Sequence, residues 1–450
     1  MMYDSSAPEY ARATRPHNTV TQQHPRLVAA PTTAAEVSEA MAAAEHGLTV
    51  VPQATGHGAG APVGDDALLL DTSGLASVSI DAEAKTATVG SGATWAAVNA
   101  AAFQQGLLGP AGSAGTVSIS GYSFAGGIGW LVRRDGLASG AIRRVGYVDG
   151  LGRSRVASDD AREAVDRDAL WAFRGAGGVG VATELEIDLF PAPALHAGRL
   201  LWPGEALETV AEAWAGSLSA IGPSVSSSLA LIHLTAAPVV PAELRGRVAI
   251  LLSVADPDGG DGAQPLLSAV RAAAHPLADD WGPADAARLA QIHLDPPDPV
   301  PALGDARWLE ASALDLAPEL LRTAHADDSP IVMMELRHVG GAAARRPGAL
   351  TEVVAPLIYH AVGPLGRSTR PQLGDAFARA REVWGTADAG LAPGAWHDGA
   401  ASVPDALPAP LATRARAIAD EVDPLHRIRR SRILGGPFLG GPLLGGAAVR

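Results

Sequence analysis

The sequence has 450 residues and a net charge of -14, with 47% hydrophobic and 18% charged residues. These values are typical of a folded globular chain of two or three domains, and the acidity argues against binding to nucleic acids or anionic membranes. The absence of cysteine and the single lysine, Lys85, exclude disulfides, iron–sulfur clusters, cysteine zinc sites and a phosphate-loop ATPase.

The first 190 residues alternate short apolar runs with helical patterns. Strands are predicted at residues 26–30, 48–51, 68–71, 78–80, 86–89, 144–149, 153–157 and 181–190. Helices are predicted at residues 33–47, 95–104 and 168–173. Thr33 and Glu36 form a capping-box signature at the start of the first helix, so residues 26–51 are predicted to form a β-α-β unit.

The second half of the chain has shorter strands between helices. Strands are predicted at residues 228–235, 248–255 and 331–339, and helices at residues 205–220, 264–274, 376–384 and 411–422. This alternation favours an α+β arrangement, in which an antiparallel sheet is backed by helices. Residues 433–450 form a tail rich in glycine and proline.

No apolar run reaches the roughly 18 residues that a membrane-spanning helix needs. The first residues also lack a basic segment followed by an apolar one, so a cytoplasmic protein is expected.

Glycines cluster in three loops, at residues 56–60, 112–129 and 175–180. Such loops let backbone N–H groups approach a pyrophosphate closely and favour a large phosphate-containing cofactor, although each loop alone could be an ordinary turn. Residues 175–180 match the G-x-G-x-x-G motif of nicotinamide-binding proteins. That motif requires a strand before it and a helix after it, and the predicted order here is the reverse, so this class is excluded. Residues 111–115 lack the first glycine of the G-x-S-x-G nucleophile elbow of hydrolases, so a hydrolase of this type is excluded as well.

His57 stands out among 13 histidines because it directly follows a strand and lies between two glycines, where a turn presents its ring. Most isolated histidines have structural or solvated roles, which is the alternative here. No close histidine pair or H-E-x-x-H motif occurs, so no metal site is predicted.

Several blocks in order resemble the vanillyl-alcohol oxidase superfamily, in its berberine-bridge-enzyme-like branch. The resemblance extends over roughly residues 15–430. The blocks that carry it are residues 51–60, 90–95, 110–131, 168–178 and 304–308, Glu335 with residues 340–342, and Asp423-Pro424.

The resemblance implies a two-part FAD-binding domain of residues 1–192, closed by a C-terminal segment at residues 406–432. A substrate domain with an antiparallel sheet backed by helices is implied for residues 193–405. It also implies FAD as the cofactor, attached covalently through His57. The cofactor-binding residues that it implies are Thr55, Gly56, His57, Gly58, Ala59, Gly112, Ser113, Gly115, Thr116, Ser118, Gly121, Tyr122, Gly126, Gly127, Gly129, Gly178, Val179 and Val181.

The sequence departs from the family at several positions. Ala114 stands where doubly linked members have a cysteine, so at most one covalent flavin bond can form. The tyrosine-containing segment that lines the active site in berberine-bridge enzymes is not evident before residue 411. Gln53 and Thr55 replace residues that are commonly arginine and glycine, and the glycine block before Val181 is one residue shorter than usual.

The candidate catalytic residues are Tyr122, Glu335, His338 and Tyr359. Tyr122 lies in the second flavin loop, where it could instead be a packing residue. Glu335 and Arg337 share one face of a predicted strand, opposite His338, and this face is expected either to face the flavin or to be solvated. His360, Trp396 and His397 are further candidates.

The predicted function is an FAD-linked oxidoreductase that transfers a hydride from an alcohol, amine, sugar or secondary metabolite to flavin N5. Oxygen or another acceptor would reoxidise the flavin, and a small-molecule substrate is the expected partner. The alternatives are a redox-neutral flavin-dependent cyclase or isomerase of secondary metabolism and a non-catalytic flavin-binding protein. The substrate and oligomeric state stay open.

Overall fold

A computed structural model describes residues 2–44, 47–236, 240, 242–325 and 329–435. Most of the predicted glycine- and proline-rich tail, from residue 436 onward, lies outside the described residues. No helix in the described part is both long and apolar enough to cross a membrane.

A four-stranded sheet opens the chain, in the order β1-β2-β4-β3. Its strands are β1 (Met2–Tyr3), β2 (Leu27–Ala29), β3 (Thr49–Gln53) and β4 (Ala67–Asp71), and the helices of this part are α1 (Pro8–Ala13) and α2 (Ala34–Ala43). The predicted β-α-β unit is β2-α2-β3, and both strands run parallel to β4 between them. Thr33 caps α2, but the capping box is incomplete because the Glu36 carboxylate accepts the backbone N–H of Thr32 instead.

A five-stranded antiparallel sheet follows, in the order β5-β6-β10-β8-β9. Its strands are β5 (Val78–Asp81), β6 (Thr86–Gly90), β8 (Ile142–Val148), β9 (Ser154–Ser158) and β10 (Val181–Asp188). The short strands β7 (Leu107–Leu108) and β11 (Phe190–Pro191) pair with each other. Four helices lie in this region: α3 (Trp95–Phe103), α4 (Ile119–Phe124), α5 (Val132–Asp135) and α6 (Ala164–Phe173). The hairpin predicted around residues 150–152 is β8-β9.

The largest sheet has eight strands, seven of them in the order β15-β12-β14-β13-β18-β19-β17, with β16 paired to β12. Their bounds are β12 (His196–Pro203), β13 (Ser226–His233), β14 (Val248–Asp256), β15 (Ala278–Asp279), β16 (Gly282–Pro283), β17 (Ala302–Leu309), β18 (Met333–His338) and β19 (Leu357–Pro364). All the described pairings in it are antiparallel. Strands β12, β17 and β19 were not predicted from the sequence; in β17, Gly304 and Asp305 are residue types that strands disfavour.

The helices of the second half are α7 (Leu207–Ser217), α8 (Gln264–Ala273), α9 (Ala286–Leu289), α10 (Ala317–Arg322), α11 (Arg370–Trp384) and α12 (Ala409–Val422). Apolar residues of α7, α8, α10 and α11 form one core with a single face of the large sheet. Helix α11 begins six residues before its predicted start, because Thr369 and Gln372 form a complete capping box there.

The C-terminal helix α12 returns to the first half of the chain, where it packs on α6. The Arg414 guanidinium lies 4.0 Å from the ring centroid of Trp171, and its Nη2 atom is 3.0 Å from the Asp168 carboxylate. The described residues therefore have the predicted α+β architecture, with an antiparallel sheet backed by helices. The other face of the large sheet is left to face the glycine loops.

Candidate active site

A cavity of about 2020 Å³ lies between the glycine loops and the uncovered face of the large sheet. One side of it, the loop wall, consists of the lining residues in the ranges 55–59, 112–122 and 177–179. The opposite side, the sheet wall, consists of Glu335, Arg337, His360 and His293. Typical ligand sites enclose roughly 300–1,000 Å³, so this cavity has room for a large cofactor together with a substrate.

His57 lies in the loop wall, directly after β3, and its two ring nitrogens contact threonine hydroxyls. The Nδ1 atom is 2.9 Å from Thr55 Oγ1, and the Nε2 atom is 3.1 Å from Thr116 Oγ1. Thr55 Oγ1 also accepts the Ser118 backbone N–H. Every hydrogen-bonding group of the His57 and Thr55 side chains therefore has a partner when the Thr55 hydroxyl donates to Nδ1 and the ring donates from Nε2–H to Thr116 Oγ1. These partners assign the proton of the neutral ring to Nε2.

The ring of His17 stacks on that of His57, with 3.7 Å between ring centroids and 10° between ring planes. Burial, aided by the neighbouring His17, lowers the pKa of His57 to about 3. The His57 imidazole is therefore neutral at physiological pH, and a neutral imidazole nitrogen has a lone pair that can act as a nucleophile.

Most residues expected to bind the cofactor line the cavity. They are Thr55, Gly56, His57, Gly58, Ala59, Gly112, Ser113, Ser118, Gly121, Tyr122, Gly178 and Val179. Gly177, which the prediction omitted, lines it too. Gly177 and Gly178 have φ angles of +85° and +93°, a left-handed conformation that favours glycine.

The other expected cofactor residues do not line the cavity. Thr116 touches His57, and Val181 is fully buried at the start of β10. Gly115, Gly126, Gly127 and Gly129 are close-packing positions, where an added Cβ atom would meet Ala96, Leu350, Tyr122 and Ala111 respectively. At Gly127 that Cβ would lie 2.3 Å from the Tyr122 ring, so this glycine makes room for the tyrosine.

Tyr122 is both a packing residue and a cavity residue. Its ring contacts Trp95 edge-on, with 5.8 Å between centroids. Its hydroxyl is buried without a hydrogen-bond partner among the described residues. Burial raises the pKa of Tyr122, against the opposing effect of the Arg337 charge, so the hydroxyl keeps its proton and is available as a donor.

Glu335 is the centre of the sheet wall and is completely buried. Its Oε1 atom lies 3.2 Å from His293 Nε2 and 3.4 Å from His360 Nδ1. Its Oε2 atom accepts a short hydrogen bond from the Ser228 hydroxyl and lies 3.3 Å from Arg337 Nη2. Burial would raise the pKa of Glu335, but Arg337 and His293 hold it well below its usual value, so the carboxylate is ionised.

Each histidine beside Glu335 contacts a second carboxylate through its far nitrogen. His293 Nδ1 is 2.9 Å from Asp295, and His360 Nε2 is 3.2 Å from Asp398. Burial would lower the pKa of both rings, but the two carboxylates around each ring raise it to about 9. The result is a row of alternating charges, Asp295–His293–Glu335–His360–Asp398, in which both imidazoles are protonated at neutral pH.

The row also reaches the loop wall. Burial would raise the pKa of Asp295, but His293 and, to a lesser extent, the Ser113 hydroxyl lower it to about 2. Asp295 and Asp398 both line the cavity. His17, His293, Asp295 and Asp398 were not among the predicted site residues, because nothing in the local sequence around them marks them as neighbours of Glu335 or His57.

The remaining candidates lie elsewhere. His338 is on the opposite face of β18 from Glu335, as the strand period predicts, and its Nε2 atom is 2.6 Å from Arg133 Nη1. Tyr359 is fully buried in the core between the large sheet and its helices, beside Trp384. Trp396 lines the cavity, whereas the half-buried His397 does not. Among the described residues, no group of three or more histidine, aspartate and glutamate side chains is arranged to hold a metal ion.

The residues present fit FAD in shape and charge. The loop wall supplies left-handed glycines for close backbone approach to a pyrophosphate. Residues 426–432 bring arginine side chains to the same cavity, and Arg429 has no ion-pair partner among the described residues.

Comparison with known proteins finds a family that includes two of the three segments of the loop wall, residues 55–59 and 112–122. Residues 25–158 match the FAD binding domain family. This part of the chain is similar to FAD binding domains. A segment of 184 residues, 40% of the chain, is 32% identical to (R)-6-hydroxynicotine oxidase from Paenarthrobacter nicotinovorans, and it covers 39% of that relative's length.

Solved structures extend the likeness of the FAD binding domain to the whole fold. The structure of 6-hydroxy-D-nicotine oxidase from Arthrobacter nicotinovorans superposes with a TM-score of 0.81 and 20% identity, covering 96% of this chain and 97% of that one. The berberine-bridge-enzyme-like protein 1 of Physcomitrella patens gives a TM-score of 0.79 and 19% identity, with 96% and 97% coverage. These two structures show a shared fold, and together with the sequence matches they confirm the predicted resemblance to berberine-bridge-enzyme-like proteins.

Proposed function

We propose that the protein is an FAD-linked oxidoreductase that oxidises a small organic substrate held between the loop wall and the sheet wall. The observation that carries this proposal is the single cavity that joins the FAD binding domain to a buried cluster of ionised side chains. Bound FAD supplies a hydride acceptor at N5. The proposed division of the chain is the one that the resemblance implies, with a substrate domain at residues 193–405.

We further propose that His57 bonds covalently to the flavin. Three features of His57 support this: a neutral ring, two threonine contacts that fix its orientation, and the stacked His17 that limits its rotation. The absence of cysteine restricts the protein to a single covalent flavin bond.

On the substrate side, the chain offers both donors and acceptors. Tyr122 and Arg337 present unused N–H and O–H groups to the cavity, and Asp295 presents an ionised carboxylate. A substrate hydroxyl or ammonium group can therefore donate to Asp295. Glu335 is surrounded by four partners, so we assign it a positioning role for His293, His360 and Arg337.

The test is anaerobic mixing of the purified, flavin-containing protein with panels of alcohols, amines, sugars and secondary metabolites. Bleaching of the flavin absorbance, followed by consumption of oxygen when air is admitted, is the expected result for at least one compound. Turnover of a substrate without net bleaching or oxygen consumption would identify a redox-neutral cyclase or isomerase. A flavin that no panel compound bleaches or converts would contradict the proposal and favour a non-catalytic binding protein.

A further inference from the structure

The Arg337 guanidinium has a geometry that the proposed reaction leaves unexplained. Its Cζ atom lies over two indole rings, 4.2 Å from the ring centroid of Trp130 and 4.4 Å from that of Trp396. Contact with two aromatic rings restricts the guanidinium, which makes its hydrogen bonds through the N–H groups at its edges. The side chain is 1% exposed and belongs to the cavity lining.

One edge of the guanidinium is already in use. The Nε atom is 3.3 Å from Glu335 Oε2, and Nη2 lies 3.4 and 3.3 Å from Oε1 and Oε2. The remaining nitrogen, Nη1, is buried and has no hydrogen-bond acceptor among the described residues. A guanidinium N–H group that is out of water needs an acceptor, and the strongest acceptor for it is an anion.

Glu335 is shared by Arg337, His293 and His360, and the cluster as a whole has three carboxylates for these three cations. The other two carboxylates, Asp295 and Asp398, contact the far nitrogens of the histidines. The Tyr122 hydroxyl is a second buried donor on the cavity lining, and it lies within the electrostatic influence of Arg337.

We propose that the substrate is a small organic acid whose carboxylate binds to Arg337 Nη1 and the Tyr122 hydroxyl. This inference rests on the proposed oxidoreductase function and narrows its substrate class. A carboxylate supplies the acceptor oxygens that these two donors lack. The indole rings of Trp130 and Trp396 keep the guanidinium in position before the ligand arrives, which reduces the entropy lost on binding.

The test uses the flavin-containing protein and three probes of similar shape, namely benzoate, benzamide and benzyl alcohol. Calorimetric titration is expected to give benzoate an affinity at least about tenfold higher than that of benzamide or benzyl alcohol, because a charge-assisted hydrogen bond is lost in the neutral probes. Equal affinities for benzoate and benzamide in the wild-type protein would overturn the proposal, and this comparison requires no variant.

Two variants then locate the site. Arg337→Lys keeps the charge but loses the planar edge, so benzoate affinity is expected to fall about tenfold while benzamide affinity is unchanged. The matched control is Arg414→Lys, because Arg414 also stacks on an indole ring, that of Trp171, but lies away from the cavity. Benzoate affinity that is the same in Arg337→Lys as in Arg414→Lys would contradict the assignment to Arg337.

Flavin bleaching distinguishes a failure of the organic-acid proposal from a failure of the proposed oxidoreductase function. If hydroxy or amino acids bleach the flavin and their neutral esters or amides do not, both proposals hold. If neutral alcohols or amines bleach it and acids do not, the oxidoreductase function stands and the organic-acid proposal fails. A flavin that nothing bleaches contradicts the function itself, whatever the affinity for benzoate.

Discussion

The two walls of the cavity keep histidine in opposite charge states. In the loop wall, His57 has threonine hydroxyls and another imidazole as neighbours, and burial lowers its pKa to about 3. In the sheet wall, His360 lies between two carboxylates, which raise its pKa to about 9 against the effect of burial. Burial acts in the same direction at both sites, so the neighbouring charges decide whether the ring is neutral or protonated.

The second glycine loop, which carries part of the loop wall, depends on the absence of side chains, and the most damaging change adds one. In Gly129→Ala, the new Cβ atom would lie 1.8 Å from the backbone oxygen of Ala111, so the backbone must move. We expect a loss of about 4–5 kcal/mol in the free energy of unfolding, the upper end for single substitutions. Urea denaturation measures it.

The matched control is Gly374→Ala, because Gly374 lies inside helix α11 and an added Cβ there meets nothing within 4 Å. This variant should gain about 0.5–1 kcal/mol, since alanine is the better helix former. Similar stabilities of the two variants would show that the second glycine loop is not closely packed.

The stability of the sheet wall depends on the negative charge of Glu335. Glu335→Gln removes that charge with little change in side-chain shape. The substitution leaves Arg337, His293 and His360 without their shared carboxylate, and removal of one partner from a buried ion pair costs about 3–5 kcal/mol. Urea denaturation is the measurement again, and Glu39→Gln, at an exposed position of α2, should leave stability unchanged. A small effect of Glu335→Gln would mean that the row of alternating charges does not exist as described.

The pH dependence of stability distinguishes the two walls directly. The pKa of His293 and His360 is about 9 in the folded protein, above the ordinary value of 6.5. Their stabilisation is therefore complete below pH 6.5 and is lost as the pH rises to about 9, at about 1.4 kcal/mol per pH unit for each ring. The pKa of His57 is shifted the other way, so its contribution is present above pH 6.5 and is lost as the pH falls towards 3.

Free energies of unfolding measured between pH 6.5 and 9 test whether stability falls with rising pH, as the raised pKa values of His293 and His360 predict. His360→Asn should remove about half of the decline that these two histidines cause. His275→Asn, at an exposed position, should keep the wild-type profile. A wild-type stability that rises over this range, or a His360→Asn profile that matches the wild type, would contradict the protonated state.

The smallest expected effect concerns the orientation of His57. Thr116→Val keeps the side-chain shape but removes the hydroxyl that contacts Nε2. We expect flavin attachment to slow by roughly five- to tenfold, the equivalent of one hydrogen bond of about 1 kcal/mol. The rate at which added FAD becomes resistant to acid measures this. The control is Thr413→Val, on the exposed side of α12. Equal rates of flavin attachment in Thr116→Val and Thr413→Val would show that Thr116 does not orient His57.

The two walls also differ in how far the sequence predicts them. The loop wall consists of contiguous glycine-rich segments, so residues 55–59 and the loop of Tyr122 could be found by inspection. The sheet wall is brought together by strand register. Glu335 is paired with His360 across β18 and β19, and Ser228 with Arg337 across β13 and β18, and no local pattern determines those registers.

Strand alternation predicts which residues share a face of a strand, but it does not predict which of the two faces points into the cavity. The period of two correctly put Glu335 and Arg337 on one face of β18 and His338 on the other. The same rule puts Tyr359 and His360 on opposite faces of β19, but only the pairing with Glu335 shows that His360 faces the cavity. His293 and Asp295 lie in an irregular segment after α9, where there is no period to follow.

The measurement that tests the central claim most directly is the absorbance spectrum of the purified protein before and after acid precipitation. The account predicts a yellow protein whose colour stays in the pellet, is lost from the pellet of His57→Ala, and persists in that of His275→Ala. Colour that is released to the supernatant would show that the flavin is bound but not covalently attached. A colourless protein that takes up no added FAD would contradict the account.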